Sequence, residues 1–130
     1  ADIIAGFPTE DDAMFAGSLN LIDACDIVHG HIFPYSPKAG TPAARMPQVS
    51  APTIKARAKE LRARVETRRN DWINALVGST QTIVVESDGL TGHSENVAYG
   101  ELDRTLAAGT IVSAHIKGSA NGKLQGAIAA

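Results

Sequence analysis

Five of the six prolines fall between positions 34 and 52: Pro34, Pro37, Pro42, Pro47 and Pro52. Proline fixes φ and offers no backbone N–H, so the run His31–Val49, HIFPYSPKAGTPAARMPQV, is excluded from helix and from the interior of a sheet. A connection of this length inside a compact domain is either functional or disordered. Its prolines stiffen it, and Phe33, Tyr35 and Met46 give it apolar anchors. The expectation is an ordered binding loop, with the rest of the fold arranged on either side of it.

Ahead of the loop, Asp2–Ala5 (DIIA) has the texture of a buried strand stopped by Gly6-Phe7-Pro8. Thr9 suits a helix N-cap, and Glu10, Asp11 and Asp12 place negative charge where a helix N-terminus favours it. Apolar residues then recur at helical spacing to Cys25, which predicts an amphipathic helix over 10–25 with Cys25 on its apolar stripe. A second strand is expected over 27–33 (IVHGHIF). Strand, helix and strand in so short a span make a βαβ unit with parallel strands.

After the loop, Ile54, Ala58, Leu61, Val65, Trp72 and Leu76 predict a long helix over 53–77, closed by Gly78. From there the chain breaks into short β-branched runs, Thr82–Val85, Thr110–Ile116 and Leu124–Ile128, separated by Asp88-Gly89, Ala108-Gly109 and Asn121-Gly122. Such runs predict a small antiparallel barrel. The fold class is therefore α/β followed by all-β, with a domain over 1–77 and another over 78–130.

Charge is uneven along the chain. Residues 1–52 carry two basic and six acidic groups, 53–78 seven and three, and 79–130 three and five, for a net charge of −2. That total makes no case for a nucleic-acid or membrane protein, but it gives the long helix a basic face. This face either tracks an RNA backbone or is the solvated side of an amphipathic helix. The single cysteine, Cys25, excludes an internal disulfide and a cysteine-cage metal site made by this chain alone. There is no run of about 18 apolar residues and no signal-peptide pattern, so a cytoplasmic protein is expected. The chain opens inside an apolar run without methionine and reads as a fragment of a longer protein. His29 and His31 would share a face of the second strand, with no third ligand evident; they and His115 read as satisfied strand histidines.

The string DIIAGFPTEDDAMF, the proline loop with its YSPKAGTPAARMP wording, the basic helix, LVGSTQTIVVES and GHSEN together resemble the radical S-adenosylmethionine methylthiotransferases of the MiaB/RimO/MtaB group, and most of all the MtaB-type branch. The resemblance implies that 1–77 is a βαβα piece from the C-terminal part of a partial TIM-like barrel, and that 78–130 is an RNA-holding TRAM barrel. It implies a parent enzyme that methylthiolates a modified adenosine beside the tRNA anticodon, using S-adenosylmethionine and [4Fe–4S] clusters. Ile4, Gly6, Phe7, Phe33 and Tyr35 would then seat the adenosine of the cofactor, the alternative being a turn and an apolar plug. Lys38, Arg45, His93, Glu95 and Asn96 would meet tRNA, the alternatives being solvated loop charges and a self-capped loop. The CxxxCxxC cluster motif of the family is absent. The fragment alone is therefore expected to bind no cofactor and to be inactive, and either to self-associate through the strand edge that missing N-terminal domains would cover or to keep its βαβ part poorly ordered. Two alternatives stand beside this reading: a stand-alone RNA-binding TRAM module, and a methylthiotransferase acting on a ribosomal protein.

Overall fold

A computed structural model describes residues 1–128. It divides into two compact units, residues 1–69 and residues 70–130. In the first unit, β1 (Asp2–Ala5) and β2 (His31–Pro34) pair in parallel, with Ile4 opposite Phe33 and Ala5 opposite Pro34. Between them runs α1 (Asp12–Ala24). The long helix α2 (Ala51–Ala75) begins in this unit. Pro52 is tolerated there because the first helical turn needs no internal N–H bond, and Ser50 accepts the N–H of Thr53 at 3.3 Å. Ala5, Phe15, Leu19, Ile22, Ile32, Ala58, Leu61 and Val65 form one buried core. Each large member contributes about 1.5–3 kcal/mol by leaving water.

Three local expectations need correction. The cap of α1 is Asp11, whose carboxylate accepts the Met14 N–H at 2.8 Å. Thr9 instead takes a positive φ of 71° and donates its N–H to the Pro47 carbonyl at 3.1 Å, so it is a turn residue. The second strand starts only at His31, which leaves His29 outside it and the two histidines without a shared strand face. Cys25 lies exposed at the C-cap of α1, beyond the apolar stripe. The proline run is ordered as a chain of turns with one 3-10 segment, Ala43–Arg45. Pro34 sits at the last position of β2, where the lost donor is tolerated.

In the second unit, β3 (Thr80–Val85), β4 (Thr91–Ser94), β5 (Tyr99–Leu102), β6 (Ile111–Ala120) and β7 (Lys123–Ile128) close a barrel in the order β3-β4-β5-β7-β6. One pair, β5–β7, is parallel; the other pairings are antiparallel. Alternate residues point inward, so Ile83, Val85, Leu102, Ala114, Ile116 and Leu124 are buried together with Ile73 from the end of α2. The Asn121-Gly122 turn joins β6 to β7 with both residues at positive φ, as a tight hairpin requires. Gly92 lets β4 approach β3 closely, since a Cβ there would lie 2.0 Å from the Val84 carbonyl oxygen. The segment Gly92–Asn96, expected as a loop, instead supplies most of β4 and the turn after it.

Candidate functional site

The first group of residues gathers where β1 and β2 end. Gly6 turns the chain at φ +74°, and a Cβ there would meet Ile54 Cγ1 at 2.4 Å, so α2 packs directly against the turn. The Glu10 N–H donates to the Phe7 carbonyl at 2.9 Å, and the Gly6 N–H reaches the Glu10 carboxylate oxygens at 3.2 and 3.3 Å. Phe7 and Tyr35 meet edge to face, 5.5 Å between ring centroids. Ile4 and Phe33 are register partners, each 52% exposed, on the sheet face turned away from the core. Purely parallel sheets normally have both faces covered. Ile4, Gly6, Phe7, Phe33 and Tyr35 therefore come together at one end of the sheet, with exposed apolar surface and a backbone that a ligand can approach closely. Beside them Tyr35, Ile54, Ala58 and Arg62 border a cavity of about 330 Å³. The Tyr35 hydroxyl is buried without a hydrogen-bond partner.

The basic helix face has a role that neither sequence reading supplied. Arg57 is buried, donating Nη1 to the Glu10 carbonyl and carboxylate, both at 2.8 Å, and Nη2 to Asp12 at 2.6 Å. Burial alone would lower its pKa, but the hydrogen bonds and charges of Asp12 and Glu10 outweigh that and raise it. Arg64 pairs with Asp23, Arg68 with Asp26, and Arg62 donates to the Ile32 carbonyl at 3.0 Å. Four of the seven helix cations are thus engaged by residues 10–32. The sequence signal was present in the opposed charges of 1–52 and 53–78.

Lys38 and Arg45 are exposed on the proline loop. The Lys38 carbonyl accepts the Thr41 N–H and hydroxyl, which shapes the loop while leaving the ammonium in water.

A second, separate group lies on the barrel. The β4–β5 register sets His93 opposite Tyr99, with ring centroids 4.8 Å apart, and Lys123 from β7 places its Nζ 5.1 Å from the Tyr99 ring. His93 Nδ1 lies 2.6 Å from Glu86 Oε1. The Tyr99 hydroxyl donates to Thr91 Oγ1 at 2.8 Å, and Thr91 Oγ1 donates to Asp88 at 2.6 Å. The Thr91 hydroxyl bond and the backbone N–H groups of Thr91 and Leu90 lower the Asp88 pKa, against a smaller effect of desolvation. Ser94 and Asn96 turn their oxygens onto each other, at 2.5 Å, and onto the Ala98 N–H, at 3.1 and 3.4 Å, so they cap the turn. Glu95 is exposed on that turn, and Val97 beside it holds φ at +66°. Lys123 and Glu86 escaped the sequence reading because only strand register brings them to His93 and Tyr99.

Among the described residues no helix is long and apolar enough to cross a membrane, and no cluster of three or more metal-ligating side chains occurs. No protein-family model matches the chain. It is 40% identical over 125 residues to the threonylcarbamoyladenosine tRNA methylthiotransferase MtaB of Rickettsia prowazekii, covering 96% of this chain and 30% of that protein. It is 37% identical over 103 residues to a tRNA-2-methylthio-N(6)-dimethylallyladenosine synthase of Coxiella burnetii, covering 74% of this chain and 24% of that one. A synthase with the same name from Bartonella quintana is 29% identical over 134 residues, covering 98% and 29%. The chain thus spans less than a third of the length of these curated relatives, and it is a homologue of that segment of the MtaB- and MiaB-type tRNA methylthiotransferases.

Proposed function

We propose that this chain is the part of a tRNA methylthiotransferase that seats the adenosine of S-adenosylmethionine at the ends of β1 and β2 and holds RNA on its barrel. The observation that carries the reading is the exposed apolar pair Ile4–Phe33 beside Gly6 and the Phe7–Tyr35 contact. Such a surface suits an adenine ring, which stacks on its faces and hydrogen-bonds at its edge. These residues fit the adenosine portion of the cofactor. They do not fit an iron–sulfur cluster, because the single thiol, Cys25, lies at the far end of α1 from the Gly6 turn. When bound, the cofactor and cluster supply the radical and methyl chemistry; the residues of this chain bind and orient. In this reading 1–77 belongs to a partial (β/α) barrel and 78–130 is a TRAM domain of a cytoplasmic enzyme. The 130 residues by themselves are inactive in methylthiolation, and the uncovered β1 edge is where the segment self-associates when expressed alone.

On the barrel, His93 and Tyr99 offer ring surface for a base, and Lys123, Glu95 and the Asn96 amide offer charge and hydrogen bonds at its margin. Lys38 and Arg45 add phosphate contacts from the proline loop. The relatives named for tRNA substrates favour this reading over the ribosomal-protein alternative.

The test is made on the complete protein that carries this sequence. Phe33→Ala weakens binding of S-adenosylmethionine in equilibrium dialysis by about tenfold, and digests of tRNA incubated with the variant lose methylthio-adenosine in proportion. Unchanged cofactor binding in the variant, or a wild-type protein that leaves tRNA nucleosides unaltered, overturns the reading.

A further inference from the structure

Arg57 is the one buried residue among the seven cations of α2, and its surroundings make it more than a structural ion pair. Its Nη1 meets both the main-chain and the side-chain oxygen of Glu10, and its Nη2 meets the solvent-exposed Asp12. The Glu10 carboxylate, 10% exposed, receives the Gly6 N–H on its other side. The carboxylate is therefore a relay from α2 to the backbone of the Gly6 turn. Ile54, three residues earlier and so on the same helix face, is the apolar stop against which Gly6 rests. Phe15 supports the guanidinium at 5.3 Å. Only a planar fork of donors can satisfy this set of oxygens together; a lysine offers one point charge. Burying such a group gains little stability over an apolar replacement. What it does fix is the geometry of Gly6.

We propose that Arg57 is a positioning residue: through Glu10 it holds the Gly6–Phe7 turn, and thereby the Ile4 end of β1, in the shape that receives the adenosine of S-adenosylmethionine. This rests on the function proposed above and adds the residue that pre-organises the site from outside it.

The experiment uses the complete protein with Arg57→Lys, Arg57→Met, Glu10→Gln and the Arg57→Met/Glu10→Gln pair. Cofactor affinity is read by equilibrium dialysis, tRNA affinity by filter binding, and order in the turn by amide hydrogen exchange at Gly6. Each single variant should bind the cofactor about tenfold more weakly, with tRNA affinity unchanged and faster exchange at Gly6. Arg57→Lys should fail to rescue, and the pair should be no worse than the poorer single variant, as expected of one relay. Wild-type cofactor affinity in Arg57→Met, full rescue by lysine, or equal losses of cofactor and tRNA binding with a collapsed melting temperature overturns the proposal. If Arg57→Met does not fold, the nearly isosteric Glu10→Gln carries the same test. A wild-type protein that binds no S-adenosylmethionine would refute the proposed function; the Gly6 exchange rates would still decide whether Arg57 orders the turn.

Discussion

Substituting Gly6 by alanine tests the geometry on which the proposed cofactor site depends. The residue sits at φ +74°, where a Cβ costs about 1–2 kcal/mol against the following carbonyl. The added atom would also lie 2.4 Å from Ile54 Cγ1, an overlap that core overpacking places at about 1–3 kcal/mol after partial relaxation. The expected destabilisation of the first unit is therefore about 2–5 kcal/mol. Read as hydrogen exchange at the buried helix positions Ile22 and Leu61, this is an acceleration of roughly 30-fold to several-thousand-fold. The single tryptophan, Trp72, belongs to the second unit and is the wrong probe. Adding Ile54→Ala removes Cγ1 but leaves the Ile54 Cβ 3.0 Å from the new methyl, so the double variant should recover about 1–3 kcal/mol relative to additivity while keeping the φ penalty. Gly17 is the control: nothing lies within 4 Å of its Cβ position and it is inside α1, so Gly17→Ala should stabilise by about 0.5–1 kcal/mol. A neutral Gly6→Ala, or a double variant additive to within about 0.5 kcal/mol, refutes the close packing of α2 on the turn.

Two further outcomes follow for the barrel. Gly92→Ala forces a methyl to 2.0 Å from the Val84 carbonyl, which is main chain and cannot swing aside, so it should cost about 3 kcal/mol or more and move the Trp72 fluorescence transition in urea to lower denaturant. The folded barrel lowers the Asp88 pKa, so its carboxylate stabilises the fold above the ordinary carboxylate value of about 4, and that contribution disappears as pH falls through the lowered value. Barrel stability should drop across that acidic window in the wild type and drop less in Asp88→Asn; equal acid profiles would show that the Thr91 bonds do not favour the charged form.

Much of this was legible from local pattern. The apolar run of Asp2–Ala5, the helical spacing over 10–25 and the Asn121-Gly122 turn each correspond to an observed element, because burial and turn chemistry there depend on neighbours in sequence. The strands β4 and β5 were not legible. TGHS and YGEL each carry a glycine and little β-branched content, and they are strands because the closed barrel pairs them on both sides. Thr9 failed as a cap for a related reason: the Pro47 carbonyl, some forty residues away, takes its N–H and leaves capping to Asp11. Ile4, Gly6, Phe7, Phe33 and Tyr35 lie at one end of the sheet because parallel strand ends converge by topology. The Lys123–Tyr99–His93 group depends on β5–β7 pairing in parallel, which the antiparallel expectation did not contain.

The basic helix shows how charge counted along a chain differs from charge available to a partner. Seven cations on α2 suggest a phosphate-tracking surface, yet Arg57, Arg62, Arg64 and Arg68 are spent on Glu10, Asp12, Asp23, Asp26 and the Ile32 carbonyl. The excess negative charge of 1–52 and the excess positive charge of 53–78 are one set of contacts seen from both ends. An arginine held by a carboxylate cannot release counterions from RNA without breaking that pair. Fewer cations on this unit are left to the solvent, among them Lys38 and Arg45, exposed on the proline loop. The same loop that looked like a connector thus carries exposed charges of its own, while four of the helix cations are taken up by residues 10–32.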